Sequence, residues 1–353
     1  MPAKSFAARV IAWQRAHGRH DLPWQRTRDA YRIWLSEIML QQTQVAAVVP
    51  YFERFLAAFP DVAALARAPL DDVLAHWSGL GYYRRAHHLH AAAQAIVRDH
   101  GGAFPPDAVM LATLPGVGRS TAAAIAAFAF GARAAILDGN VKRVFARHRG
   151  VAGWPGSPKV EAELWRIADA ALPPRDVDAY TQGLMDLGAT VCARANPRCD
   201  ACPVVADCVA RRDGRTAELP APRPRKALPH RAIRVLVIER NGEVLLEKRP
   251  PTGVWSGLWS LPECALGDDV RDVARARFGA RVELRDALPP IEHGFTHFAL
   301  TLHPQRVAAP RWPARAEAPD TRWLAPADAE RAALPAPIRK LLRSLARPGT
   351  LAE

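Results

Sequence analysis

The stretch LPGVGRSTA, Leu114–Ala122, sets a proline and two glycines into a tight turn and then runs directly into helix-forming alanines. Glycine lets backbone N–H groups turn to one side, and a helix N-terminus adds partial positive charge, so the combination suits an anion, phosphate above all. A plain turn between two helices, with no ligand, explains the glycines of an isolated PGVG equally well. Ser120, standing where the next helix begins, needs its own reason.

Composition narrows the choice. The 353 residues are enough for two domains, each with its own core. Lys plus Arg outnumber Asp plus Glu by 48 to 35, a formal net charge of +13, as in proteins that meet a polyanion. Nucleic acid leads over a membrane, because no apolar run reaches the roughly 18 residues of a spanning helix. The longest approach to one, AAAIAAFAFGARAAI at residues 122–136, contains Gly131 and Arg133. The opening MPAKSFAARVIAWQ reads as an amphipathic helix rather than a signal peptide. A cytoplasmic, nucleoid-associated protein without a membrane partner is expected.

Four of the five cysteines, Cys192, Cys199, Cys202 and Cys208, form a C-x6-C-x2-C-x5-C array, while Cys264 stands alone. Such clustering in a reducing compartment points to metal rather than disulfides. Zinc sites usually pair two short Cys-x-x-Cys knuckles and this array has one, so spacing leaves zinc and an iron-sulfur cluster both open. A zinc deaminase is excluded, since the chain lacks the His-x-Glu and Pro-Cys-x-x-Cys that its chemistry needs.

Apolar residues at three and four spacing mark helices through YRIWLSEIMLQQTQVAAVVPYFERFL (31–56), VLAHWSGLGYYRRAHHLHAAAQAIV (73–97) and VEAELWRIADAAL (160–172). ELPAPRPRKALPHR, residues 218–231, interleaves prolines with basic residues and reads as an extended, semi-rigid linker. Beyond it, IRVLVIE and EVLLEKR flank Asn241-Gly242, a strong hairpin signal, so the second region is built on strands.

LPGVGRSTA, ILDGNVKRV (136–144) and the four-cysteine array together resemble the helix-hairpin-helix DNA glycosylase superfamily, which includes the endonuclease III type enzymes. LPW (22–24), SEIMLQQTQV (36–45), GLGYY (79–83) and the strand-rich C-terminal region resemble its adenine DNA glycosylase branch, the MutY family. The resemblance implies a multi-domain chain, α then α+β. Residues 1–215 would form an all-helical, two-lobed glycosylase domain with an iron-sulfur loop at 192–208, residues 216–231 a linker, and residues 232–346 a Nudix-like lesion-recognition domain. It further implies a monomer that removes adenine mispaired with 8-oxoguanine or guanine in duplex DNA. One [4Fe-4S] cluster on Cys192, Cys199, Cys202 and Cys208, and a monovalent cation at the hairpin, complete the implied cofactors.

Glycosidic hydrolysis passes through an oxocarbenium-like transition state, so it wants an acid for the departing group and an anion near the developing cation. Glu37 sits among Leu35, Ile38, Met39 and Leu40, where desolvation keeps a carboxyl protonated, and by the resemblance it protonates adenine. Asp138, before Gly139-Asn140 at a helix start, has a dipole that favours its charged form, and by the resemblance it stabilises or transiently attacks the sugar cation. Without the motif it would read as a helix cap. Asn140 either orients this network or caps its helix.

In bifunctional relatives a lysine at the place of Ser120 forms an imine with the sugar; a serine cannot, so a monofunctional enzyme is expected. Gly116, Val117 and Gly118 would bring backbone N–H groups to a phosphate, Gln42 and Tyr82 match the residues that wedge into the base stack, and Trp24, Leu40 and Gln182 match the adenine pocket. Gln25 follows Trp24 where an arginine can occur. The array's loop carries Arg194 and Arg198 toward phosphate, or merely staples the domain end.

A glycosylase with lyase activity and a nucleotide hydrolase in the C-terminal region are the competing readings. GLWSLPE (257–263) begins like a Nudix signature, yet Arg275 and Ala276 stand where its metal-binding glutamate pair is expected, too little negative charge for a hard divalent ion. HGFTHF (293–298) matches the segment that recognises 8-oxoguanine, with Thr296 and His297 as its polar contacts.

Overall fold

Side-chain caps set where the helices begin. Ser5 accepts the N–H of Ala8, Asp29 that of Tyr31, Asp138 that of Val141, and Asp269 those of Arg271 and Asp272, each supplying an acceptor to a first turn that lacks one. The computed structural model describes residues 5–224, 227–313 and 320–346. Internal contacts divide the chain into two units, residues 1–67 with 88–225, and residues 68–87 with 226–353.

The first unit is helical. It holds α1 (Phe6–His17), α2 (Ala30–Leu40), α3 (Val45–Ala58) and α4 (Val62–Arg67). After α5 (Leu70–Trp77), which belongs to the second unit, come α6 (Arg84–His100), α7 (Ala108–Leu111), α8 (Arg119–Phe130), α9 (Gly139–Arg149), α10 (Pro158–Ala171), α11 (Val177–Asp186) and α12 (Val209–Arg212). A core of Phe6, Val10, Ile11, Val144, Phe145, Leu164, Tyr180 and Leu184 joins α1, α9, α10 and α11. The amphipathic opening segment is α1, with Phe6, Val10 and Ile11 turned inward.

Two of the apolar patterns that read as helix are each broken once. Residues 31–56 separate into α2 and α3 at Gln41–Gln44, where Gln42 has φ 58°, and residues 73–97 separate into α5 and α6 at Ser78–Tyr83, where Gly79, Gly81 and Tyr82 have φ 101°, 76° and 49°. Apolar spacing continues across both breaks, so periodicity alone could not reveal them.

The second unit contains a mixed sheet, as the strand signals indicated. Its strands are β1 (His230–Arg240), β2 (Glu243–Lys248), β3 (Trp259–Ser260), β4 (Glu263–Cys264), β5 (Glu283–Ala287), β6 (Ile291–Gly294), β7 (Ala299–Ala308) and β8 (Thr321–Leu324), with α13 (Val270–Phe278) and α14 (Ala336–Leu345). The central order is β3-β2-β1-β7-β5, with β1 and β7 parallel from His230↔Ala299 to Glu239↔Ala308. Asn241 and Gly242 turn β1 into β2 with φ 48° and 80°, and Arg240 faces Glu243. Leu236, Ile238, Leu245, Ala274, Phe278 and Val307 pack the sheet against α13.

The segment 68–87 joins this unit through polar contacts. Asp71 pairs with Lys248 at 2.8 Å, Ser78 and Tyr83 donate their hydroxyls to the Leu334 carbonyl at 2.8 and 3.1 Å, and His87 Nε2 lies 2.9 Å from the Ser256 carbonyl.

In the first unit, Gly150 ends α9 at φ 69°, and a Cβ there would lie 2.5 Å from Val209 Cγ1. Gly150→Ala combines left-handed strain with this clash. Denaturant unfolding followed by tryptophan fluorescence should record a loss of at least about 1–2 kcal/mol.

Candidate active site

Asp138 stands at the N-cap of α9, where its Oδ1 accepts the Val141 N–H at 2.7 Å and its Oδ2 lies 3.5 Å from Asn140 Nδ2. Burial pushes its pKa up, opposed by N–H donation from Val141 and Asn140 and by the charge of Arg143. The helix start therefore favours the anion, as the sequence indicates, but desolvation outweighs it. The cap is Asp138, and Asn140 instead faces Arg143. Its Oδ1 accepts from Arg143 Nη2 at 2.8 Å, and Arg143 also donates to the carbonyls of Gly188 and Cys192, at 2.7 and 2.8 Å.

Ser120 has a clear structural task. Its Oγ accepts the Leu137 N–H at 2.9 Å, tying the first turn of α8 to the residue before Asp138. The hairpin ahead of it needs glycine at one position, because Gly116 has φ 77° and a Cβ there would lie 2.6 Å from His88 Cβ. Val117 is buried and donates to the Leu114 carbonyl, while Gly116 and Gly118 are exposed.

Glu37 projects from α2 into a cavity of about 250 Å³, which Trp24 and Gln182 also line. Burial, and secondarily the charge of Asp138, raise its pKa to about 8. Trp24 is buried with its ring 5.3 Å from that of Phe52. Leu40, at the end of α2, does not line the cavity, whereas Gln14, Arg19, His20, Gln25, Arg28 and Asp178 do. The Gln25 carbonyl oxygen Oε1 accepts the Leu22 N–H at 3.2 Å, and its buried Nε2 has no partner among the described residues.

Gln42 and, in the second unit, the exposed Tyr82 are both non-glycine residues at positive φ. Such backbone is sparsely populated and collects at functional sites.

The four cysteines of the array are half-buried and line a single small cavity together with Arg147, Val191, Pro197 and Val205. Arg147, 3% exposed, donates to the carbonyls of Ala193, Arg194 and Leu219 and approaches Cys192 Sγ at 3.4 Å. Burial and the neighbouring thiolates push Cys202 up to about 11. Arg198 donates to the Thr190 carbonyl at 2.8 Å.

In the second unit Thr296 and His297 are exposed at the β6–β7 connection, with Thr296 Oγ1 3.4 Å from His297 Nδ1 and Phe295 stacked on Phe298 at 4.5 Å. Near the Nudix-like signature, Arg249 stands 2.6 Å from Glu263, and Arg277 donates to both oxygens of Glu247 at 2.7 and 2.6 Å and to the Glu263 carbonyl at 2.8 Å. Arg277, rather than Arg275, reaches these acidic residues. Arg275 faces only Asp272, at 3.7 Å.

Residues 35–170 match the family model for the HhH-GPD superfamily of base excision DNA repair proteins, and residues 234–344 match the NUDIX domain. The adenine DNA glycosylase of Buchnera aphidicola subsp. Acyrthosiphon pisum is 34% identical over 305 residues, 86% of this chain and 87% of that protein. The chain belongs to the adenine DNA glycosylase family. The adenine DNA glycosylase of Mus musculus is 32% identical, over 96% of this chain and 77% of its own length. A solved thermostable thymine-DNA glycosylase is 28% identical and covers 59% of this chain and 95% of its own, with a TM-score of 0.52.

The sequence did not single out Arg143, which holds Asn140, or Asp186, whose Oδ1 accepts from Gln182 Nε2 at 2.8 Å and from Arg19 Nε at 2.7 Å. Asp186 follows Gln182 by one helical turn, a spacing that could have raised it; nothing local marks Arg19. Ser120→Ala removes an acceptor from the Leu137 N–H, so urea unfolding should show a loss of about 1 kcal/mol, and single-turnover base release should slow as the Asp138 loop loosens.

Proposed function

We propose that this family member hydrolyses the N-glycosidic bond of adenine mispaired with 8-oxoguanine or guanine in duplex DNA, and leaves an abasic site. The observation that carries the reading is a pair of carboxyls with opposed support. Glu37 is held protonated by burial beside a cavity, and Asp138 receives N–H donors at a helix N-terminus. Glu37 protonates the departing adenine, and Asp138 stabilises the sugar cation, with Asn140 and Arg143 holding it in place. Trp24 and Gln182 form the adenine pocket, with Leu40 behind its wall, Gln42 and Tyr82 each serve to fill the stack after the base is flipped, and the 116–120 hairpin grips phosphate, with a monovalent cation in the same turn. Flipping costs a few kcal/mol, which the net charge of +13 helps offset through phosphate contacts.

Release without strand cleavage follows from Ser120, whose hydroxyl cannot form an imine, and from Lys142, whose ammonium is paired with Glu161 at 2.6 Å. The array residues Cys192, Cys199, Cys202 and Cys208 fit a [4Fe-4S] cluster. All four line one void, and their sulfurs are the ligands such a cluster takes. Bound there, the cluster would supply the positive iron charge that holds four half-buried thiolates together. The segment 293–298 reads the lesion through Thr296 and His297.

Asp138→Asn keeps the shape and removes the anion. With a duplex carrying adenine opposite 8-oxoguanine, hot alkali should reveal strand breaks for the wild type only, while gel-shift binding by the variant persists. Near-normal single-turnover excision by Asp138→Asn would remove that residue from the mechanism. Borohydride should trap no strong adduct with the wild type.

The pH dependence has a defined sign. Glu37 acts in its acid form, present below about 8 and lost as the pH climbs through it, so kcat/KM declines on the alkaline side. Asp138 acts as an anion, and its raised pKa brings the acid-side decline above the ordinary carboxylate range. Glu37→Gln has no proton to give, so it should lose activity throughout and with it the alkaline limb.

The Nudix-like region does not hydrolyse nucleotides in this reading, because Arg249 and Arg277 already engage the carboxylates of Glu263 and Glu247. Full-length protein with millimolar magnesium should release no phosphate or pyrophosphate from nucleoside triphosphates above background. Robust magnesium-dependent turnover would refute this.

A further inference from the structure

Gln182 on α11 lines the cavity that also holds Glu37, and its amide Nε2 donates to Asp186 Oδ1 at 2.8 Å. Asp186 is 1% exposed and lies one turn further along the same helix. Its Oδ1 also accepts from Arg19 Nε at 2.7 Å, and its Oδ2 accepts the Arg19 backbone N–H at 2.9 Å. A carboxylate held by a guanidinium has only lone pairs to offer. The nitrogen end of the Gln182 amide must therefore face Asp186, because the flipped amide would set two oxygens against each other. That fixes an assignment an amide otherwise leaves open.

The consequence lies at the other end of the amide. Gln182 Oε1 accepts no hydrogen bond from any described residue, so a carbonyl acceptor is left for whatever enters the cavity. We propose that Asp186, braced by Arg19, is a positioning residue that locks the Gln182 amide with its oxygen toward the cavity, so that the pocket accepts a purine with a 6-amino group and rejects one with a 6-oxo group. The 6-amino group of adenine donates to such an oxygen. The 6-oxo group of hypoxanthine meets it acceptor to acceptor, with neither group satisfied. The inference rests on the excision reading above and adds the origin of its base selectivity.

Single-turnover excision by the full-length protein is measured on duplexes that differ only in the target base, adenine or hypoxanthine. The readout is the ratio of the two rates, compared between variants so that the intrinsic reactivity of each base cancels. Asp186→Asn supplies an amide that can pair with either end of Gln182, so the ratio should fall on the order of tenfold, chiefly through gain or retention of hypoxanthine release. Gln182→Met has no polar end to orient, and it should lower the ratio at least as far. In the double variant Asp186→Asn with Gln182→Met, the ratio should match that of Gln182→Met alone, because the two residues act through one amide.

A ratio unchanged in Asp186→Asn, with both rates reduced together, would mean that Asp186 only supports folding and would overturn the proposal while leaving adenine excision intact. Full discrimination retained by Gln182→Met would overturn it however well Asp186→Asn folds. Wild-type protein that releases hypoxanthine but never adenine would instead overturn the excision reading on which it rests, and the proposal with it.

Discussion

A carboxylate held partly out of water at the start of a helix is the constraint around which the first unit is arranged. Asp138 takes the Val141 N–H, which makes α9 begin where it does. Ser120 holds the residue before it from α8, and Arg143 ties the residue two after it to the carbonyl of Cys192. Long-range hydrogen bonds thus hold the residues on either side of the carboxylate, from the hairpin on one side and the cysteine loop on the other. The same burial that makes this group costly to ionise places Glu37 in a neighbourhood where keeping its proton is the cheaper state. Burial raises both carboxyls, but only Asp138 has N–H donors and the Arg143 charge pulling against that rise.

Much of this was legible from spacing. Helices followed by strands, the Asn241-Gly242 hairpin and the cysteine grouping are local signals, set by turn chemistry and by short separations along the chain. The breaks at Gln42 and at Ser78–Tyr83 were not legible, because apolar residues keep their helical spacing on both sides while backbone strain, invisible in composition, does the separating. The contact between Arg19 and Asp186 spans 167 positions, and only the fold brings them together. Leu40 shows the reverse limit. A residue can sit in a matched motif, and on the same helix as Glu37, without reaching the cavity wall.

In the second unit the carboxylates near the Nudix-like signature are engaged by neighbouring guanidinium groups. Arg277 donates to both oxygens of Glu247, and Arg249 stands against Glu263, so the acidic residues that remain are neutralised by the protein's own cations. Counting along the signature showed Arg275 and Ala276 in place of a glutamate pair, but it could not show which cation meets the carboxylates that remain. In the fold Arg275 faces Asp272, and Arg277 reaches across to Glu247. Burial raises the pKa of Glu247 and the adjacent guanidinium opposes that rise, which is the balance expected of an internal ion pair rather than of a vacant cation site.

The segment 68–87 lies within the residues matched by the helical repair family, yet its contacts belong with the sheet-bearing unit. Asp71 faces Lys248, and the hydroxyls of Ser78 and Tyr83 share the carbonyl of Leu334. A chain that lent twenty residues of one module to another cannot be cut cleanly in the linker. Removal of the C-terminal portion leaves a carboxylate and two hydroxyls without their counterparts. A cut in the linker would therefore strand residues 68–87 from the sheet-bearing unit that holds them, so the boundary of the matched repair family is not the boundary of a separable piece.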